Sequence, residues 1–182
     1  MIIGLIMLSS CQKSEYHQMV TRELASGERH DELFLGLSLG MTGEEFYETC
    51  WDLHKSGKMR QSTRNNAVLW PVDSVLTAEF YPTFNEAGVI VEMPVLFNYT
   101  NYNPFDKSMN GAVLVKTAKA LLENWYGAGF IPFGPDDRKV GWVKVDGNRR
   151  VVLTKRDEIS AKAVITDLTA EVAEETLARG LK

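Results

Sequence analysis

The stretch 89–99 most constrains the fold, because every second residue along it is apolar or aromatic. Its odd-numbered positions predict one apolar strand face, made of Val89, Val91, Met93, Val95, Phe97 and Tyr99. Pro94 lies on the other face, and because proline cannot donate a ladder hydrogen bond, we expect an edge strand or a bulge there. The pattern predicts an antiparallel sheet with one buried and one wetter face.

Several other segments are expected to extend this sheet. The stretch 68–81 alternates at Leu76, Ala78 and Phe80 and is predicted to form a hairpin with 89–99. Segments 140–145 and 151–154 flank Asp146-Gly147-Asn148, a strong hairpin turn signal. A further strand is predicted over 159–166, with Ile159, Ala161, Ala163 and Ile165 on its core face. The apolar stretch 34–39 is predicted to be a short strand or an extended lead-in.

Two amphipathic helices are predicted. Thr42 and Glu45 form a capping box at the start of the first, which is expected to end at Gly57. Its apolar face is predicted to contain Phe46, Cys50 and Leu53, with Tyr47, Trp51 and His54 on the adjacent stripe. The second helix, 113–126, has an apolar face of Leu114, Ala118, Leu121, Leu122 and Trp125. The stretch 127–138 that follows contains Gly, Pro and Asp and is predicted to be a loop. We expect Trp51 and Trp125 to be largely buried against the sheet.

The order of these elements predicts an α+β fold, in which helices pack on one face of an antiparallel sheet. A short acidic helix over 171–179 is expected to end the chain. We predict a single domain over 31–182, with two possible halves of similar α-β-β(-β) pattern at 31–104 and 105–182. Two small domains side by side are the alternative.

The first eleven residues predict where the protein resides. Residues 1–8 are apolar, residues 1–10 carry no charge, and the run is too short for a spanning helix of about 20 residues. Leu8-Ser9-Ser10-Cys11 fits the lipobox pattern and resembles the processing site of bacterial lipoproteins. That resemblance implies that residues 1–10 are a signal peptide and that Cys11 is acylated, as by palmitate. A buried N-terminal strand is the other interpretation of this run.

Four other segments also resemble known proteins. The chain resembles a group of uncharacterised Bacteroidetes lipoproteins at Phe34–Thr42, Cys50-Trp51, Trp125-Tyr126-Gly127 and 145–150. This likeness implies no activity. Gly40-Met41-Thr42 before a helix is similar to the start of BamE/SmpA-type lipoproteins and of β-lactamase-inhibitor-protein-like domains. We therefore expect a tether over 11–30 and a body that faces the periplasm or the outer membrane.

Net charge and cysteine content restrict the classes of partner that we expect. The net charge of −4 provides no basic face for nucleic acid, so none is expected as a partner. Cys11 and Cys50 are the only cysteines, and acylation of Cys11 leaves no internal disulfide. We expect the membrane, through Cys11, and an envelope protein or glycan as partners.

Catalytic and metal sites are not expected. Ser38 lies in a G-x-S-x-G pattern, but that pattern needs a later acid and histidine, and only His54 follows. Cys50 and His54 are one helical turn apart, yet two ligands are too few for zinc. No cofactor is predicted, and a small envelope hydrolase using Ser38 is kept as the alternative function.

The aromatic residues after the stretch 89–99 are the one predicted binding surface. Tyr99, Tyr102 and Phe105 lie at the strand end and in the following loop, where exposed rings can stack on a sugar or a protein. The sequence therefore predicts a lipid-anchored envelope protein that acts as a non-catalytic binding or assembly module.

Overall fold

A computed structural model describes residues 15–63, 67–134 and 140–171. The helices are α1 (Glu15–Ser26), α2 (Gly43–Lys55) and α3 (Gly111–Tyr126), followed by a helical segment over 168–171. The strands are β1 (Arg60–Gln61), β2 (Val68–Pro71), β3 (Leu76–Phe80), β4 (Thr83–Phe84), β5 (Ile90–Tyr99), β6 (Ile131–Phe133), β7 (Gly141–Asp146), β8 (Arg149–Lys155) and β9 (Ser160–Asp167). The predicted signal peptide, Cys11 and most of the predicted terminal helix lie outside the described residues.

The nine strands of the described residues belong to one antiparallel sheet, which confirms the α+β class. The strand order is β1-β2-β3-β5-β9-β8-β7-β6, and β4 pairs with the start of β5. The pairing of β5 with β9, for example Met93 with Ile165, joins the segments 31–104 and 105–182 in this sheet.

The main core lies between this sheet and α3. Met93, Val95 and Phe97 of β5 are completely buried, as are Leu114 and Leu122 of α3. Small residues of β9 let the helix approach, and α3 lies across β5, β8 and β9. The core face of β9 is formed by Ala161, Ala163 and Ile165, as the sequence predicts, whereas Ile159 is exposed.

A stack of aromatic rings closes one end of this core. Trp70 and Trp125 stack with centroids 5.5 Å apart, and Phe34 lies 5.4 Å from Trp125 and 5.6 Å from Trp70. Trp125 is therefore packed among other aromatic side chains, although part of its surface remains accessible.

The helices occupy both faces of the sheet, which differs from the predicted single face. Met19 of α1 packs against Val145 and Leu168, whereas the neighbouring Lys144 bonds through Nζ to the Tyr126 carbonyl at the end of α3. Because successive strand residues point to opposite faces, α1 and α3 lie on opposite sides of β7. Residues 15–30 of the predicted tether thus include a helix that packs on the sheet.

β5 is a central strand, so the edge predicted at Pro94 was wrong, and the register shift that it shows against β4 lies at Val91 and not at Pro94, where the bulge was the alternative. Pro94 pairs with Val164 of β9 and lies opposite the interruption between β3 and β4. The register shifts between Thr83 and Phe84, and the alternation breaks there. As a result Val91 leaves the core face predicted for it, while the residues from Met93 to Tyr99 keep theirs.

Local signals gave several elements correctly. Thr42 Oγ1 accepts from Glu45 N at 3.3 Å and Glu45 accepts from Thr42 N at 2.8 Å, which confirms the capping box. Gly147-Asn148 forms the predicted turn between β7 and β8.

Two local predictions failed. Residues 33–37 form a tight turn in which Leu35 and Gly36 both have positive φ, so the predicted strand there was wrong. β6 lies in a stretch that was predicted to be a loop. Among the described residues, no helix is both long and apolar enough to cross a membrane.

Candidate functional site

A groove of about 540 Å³ lies between α2 and the β1–β2 edge of the sheet. We name it the α2 groove. Phe46, Cys50 and Met59 provide apolar lining, and Arg60 and Gln61 contribute from β1. Its volume falls within the range of about 300–1,000 Å³ that is usual for small-ligand sites.

Three accessible aromatic side chains line the α2 groove. Tyr47 is 54% exposed, Trp51 is 58% exposed and Tyr81 is 40% exposed. Tyr47 and Trp51 are one helical turn apart on α2, which places them on the same side of the helix. Neighbouring accessible rings of this kind form a patch, in contrast to scattered surface aromatics, which need no explanation.

The exposure of Trp51 corrects the prediction that it is buried. In α2, which is entirely within the described residues, only Phe46 is fully buried, and Cys50 and Leu53 are half-buried. The helix therefore uses a narrow apolar face of Phe46, Cys50 and Leu53, as predicted. The adjacent stripe with Tyr47 and Trp51 falls outside it and faces the groove and solvent.

Tyr47, Trp51 and Tyr81 form an aromatic rim on the α2 groove, and the two tyrosines are positioned by contacts with each other and with the core. The Tyr47 and Tyr81 hydroxyl oxygens lie 2.6 Å apart in a hydrogen bond that links α2 to the end of β3. This bond is the largest cause that raises the pKa of Tyr81, followed by burial. Both rings also make edge contacts with Phe46, at 5.4 Å for Tyr47 and 6.1 Å for Tyr81. The two tyrosines are thus positioned before any ligand binds.

Polar side chains complete the α2 groove. His54 Nδ1 lies 3.2 Å from the Met59 carbonyl oxygen, and because a carbonyl only accepts, Nδ1 is the donor. In a neutral ring, Nε2 is then an acceptor. His54 also stacks on Trp51 with centroids 5.9 Å apart, and Lys55 Nζ lies 5.3 Å from the Trp51 centroid.

Cys50 lines the groove as a protonated thiol. Burial raises its pKa to about 11, so the reactive thiolate is scarce near neutral pH. This environment suits a small packing residue.

The structure does not bring the residues of the alternative hydrolase together. Ser38 is half-buried in the loop before α2, where its backbone bridges to Glu32. His54 is at the other end of α2, bonded to Met59. Among the hydrogen bonds of the described residues, none joins Ser38 to His54.

The three aromatics of the predicted binding surface separate into two environments. Tyr99 is only 8% exposed, and its hydroxyl donates to the Asn110 carbonyl at 3.0 Å. Phe105 is 93% exposed, and Tyr102, which stacks on Tyr99 at 6.1 Å, is partly exposed. Tyr99 therefore supports the loop, and only Tyr102 and Phe105 remain available for contact.

The described residues contain no group of three or more His, Cys, Asp or Glu side chains that could hold a metal ion. Comparison with known proteins identifies no relative, since no family model, curated protein or solved structure matches the chain.

Proposed function

We propose that this chain is a lipid-anchored cell-envelope protein whose folded body is a non-catalytic binding or assembly module. The observation that carries the binding role is the accessible aromatic rim of the α2 groove, formed by Tyr47, Trp51 and Tyr81. The lipid anchor rests on the lipobox at Cys11.

The anchor and the folded body are close in sequence. α1 begins at Glu15, four residues after Cys11, and packs on the sheet through Met19. Four extended residues span at most about 14 Å, so an acylated Cys11 would hold the body near the membrane surface. This arrangement suits a partner that is itself in the envelope, whether a protein or a glycan.

The anchor is tested by mass spectrometry of the membrane fraction. We expect a chain that begins at Cys11 and carries acyl groups, because several acyl chains anchor a protein stably. Cys11→Ser should release the protein from the membrane. A soluble protein that still carries residues 1–10 would contradict the anchor.

The binding role is tested by photo-cross-linking in cells. A benzophenone side chain introduced in place of Tyr47 should form adducts with an envelope protein or glycan. The same group in place of Lys116, on the exposed side of α3, is the matched control and should form none. Equal yields at the two positions, or adducts at Lys116 alone, would contradict a binding role for the α2 groove.

A further inference from the structure

We infer that the α2 groove binds a saccharide that carries no positive charge, with a sugar ring stacked on the Trp51–Tyr47 side of α2. This inference rests on the proposed binding function and names the class of ligand. It follows from the aromatic rim, the polar groups beside it and the charge of the lining.

The aromatic rim matches the apolar faces of sugar rings. A pyranose ring presents C–H groups on its faces and hydroxyls around its edge, so it stacks on a flat aromatic ring and hydrogen-bonds sideways. Trp51 and Tyr47 provide accessible ring surface on neighbouring turns of α2. The 2.6 Å hydrogen bond between Tyr47 and Tyr81 fixes part of this surface in advance. Preorganisation of this kind lowers the entropic cost of binding.

The polar groups match the hydroxyls of a sugar edge. Arg60 and Gln61 line the α2 groove from β1, and His54 lines it from α2. A guanidinium donates, an amide both donates and accepts, and the His54 ring presents Nε2 because Nδ1 is used by Met59. Hydroxyl groups, which donate and accept, can pair with all three.

The charge of the lining selects against cationic ligands. Among the described residues that line the α2 groove, none carries a carboxylate, while Arg60 is a cation. A ligand ammonium would therefore meet like charge and no counter-charge. An aromatic cage for a quaternary ammonium is disfavoured on the same ground.

An extended peptide fits less well. β-strand addition needs a run of free backbone groups, and the adjacent edge strand β1 has only two residues, Arg60 and Gln61. The main-chain hydrogen bonds that would give such a peptide its affinity are therefore few.

The test uses the full acylated chain in a detergent without a sugar headgroup, with its four tryptophans labelled with ¹⁵N. The probes are tri-N-acetylchitotriose and cellotriose, which are uncharged, and deacetylated chitotriose, which is cationic in the mildly acidic buffer used for all three. With up to about 10 mM probe, which detects millimolar dissociation constants, at least one uncharged probe should shift the Trp51 indole resonance but not that of Trp142. Deacetylated chitotriose should bind at least about tenfold more weakly than its acetylated form.

Variants separate stacking from general surface effects. Binding to the variants is followed by the backbone amide resonance of Tyr47 in uniformly ¹⁵N-labelled protein, because Trp51→Ala and Trp51→Phe remove the indole reporter. Trp51→Ala should weaken binding by at least about tenfold, consistent with loss of a central aromatic contact. Trp51→Phe should retain part of the affinity, because a ring for stacking remains. Phe105→Ala removes an even more exposed aromatic side chain and should leave the affinity unchanged, and all three variants should melt at the wild-type temperature.

Two results would overturn the inference in distinguishable ways. If neither uncharged trisaccharide shifts Trp51 while benzophenone at Tyr47 still captures a protein, the saccharide inference fails and the binding module stands. If neither method detects a contact at the groove, both proposals fail. Binding of the cationic probe as tightly as its acetylated form would also overturn the inference.

Discussion

Trp51 and Trp125 lie on two amphipathic helices of the same sheet, yet their surroundings differ. Trp125 of α3 is packed among Phe34, Trp70 and Phe97, because α3 lies across the middle of the sheet. Trp51 of α2 is 58% exposed, because α2 packs at the margin and buries only Phe46 fully. A tryptophan beside an apolar helix face is thus a core residue or a surface residue according to where its helix meets the sheet.

The largest effect on the unfolding free energy is expected at Trp125, which packs in the core between α3 and the sheet. Trp125→Ala should destabilise the protein by about 3–5 kcal/mol, since it removes the ring that bridges Phe34, Trp70 and Phe97. Urea unfolding measures the change in free energy. A loss below about 1 kcal/mol would show that this core is no more tightly packed than the α2 margin.

Buried hydrogen bonds also stabilise the fold at the place where the chain after α1 meets the turn between β7 and β8. Asn148 is 1% exposed, accepts from His30 N at 2.7 Å and donates to Asp31 at 2.9 Å. Asn148→Ala leaves these groups unpaired and should cost about 1–3 kcal/mol in unfolding free energy. The exposed Asn101 is the matched control, and an equal effect of Asn101→Ala would contradict the role of these bonds.

Low pH should lower the stability of the same region, because Asp167 becomes protonated there. Burial alone would raise its pKa, but hydrogen bonds from Thr169, Asn148 and Arg29 outweigh burial and lower the pKa below the usual value of an aspartate. A depressed carboxyl pKa adds stability above the unfolded value, and this is lost as pH falls through the folded value. Asp167→Asn should therefore be less stable than wild type at pH 7, with a smaller difference in acid. A difference in unfolding free energy that is constant with pH would contradict this.

The smallest effect on the unfolding free energy is expected at Trp51, on the solvent-exposed side of α2. Trp51→Ala should change the unfolding free energy by no more than about 0.5 kcal/mol, because the side chain is mostly solvated. Urea unfolding under the conditions used for Trp125→Ala gives the comparison. A cost comparable to that of Trp125→Ala would mean that α2 packs as α3 does and that the groove is closed.

Sequence was most informative where local chemistry decides structure. The Thr42–Glu45 capping box and the Gly147-Asn148 turn each depend on residues within a few positions of one another, and both form as predicted. The position of Pro94 did not follow from sequence, because the pairing of β5 with β9 is decided by contacts about seventy residues apart.

The candidate site was harder to predict, because it is also formed by contacts between residues that are distant in sequence. The stripe of Tyr47, Trp51 and His54 is visible in the sequence, but Tyr81 joins it only through the fold, 34 residues further on. The usable signal was the width of the apolar and aromatic surface of α2, which exceeds what a helix at the margin of a sheet can bury. Tyr99 shows the reverse error, because an aromatic at a strand end proved to be a buried support for its loop.

Acrylamide quenching of tryptophan fluorescence tests most directly whether α2 leaves an open aromatic surface where α3 is closed. The four tryptophans differ in accessibility, and Trp51 is the only one that is mostly exposed, all four being within the described residues. We predict that Trp51→Phe removes the largest share of the quenchable emission and that Trp125→Phe removes little of it. If Trp51→Phe left the quenchable emission unchanged, the α2 groove would be closed in solution and the account contradicted.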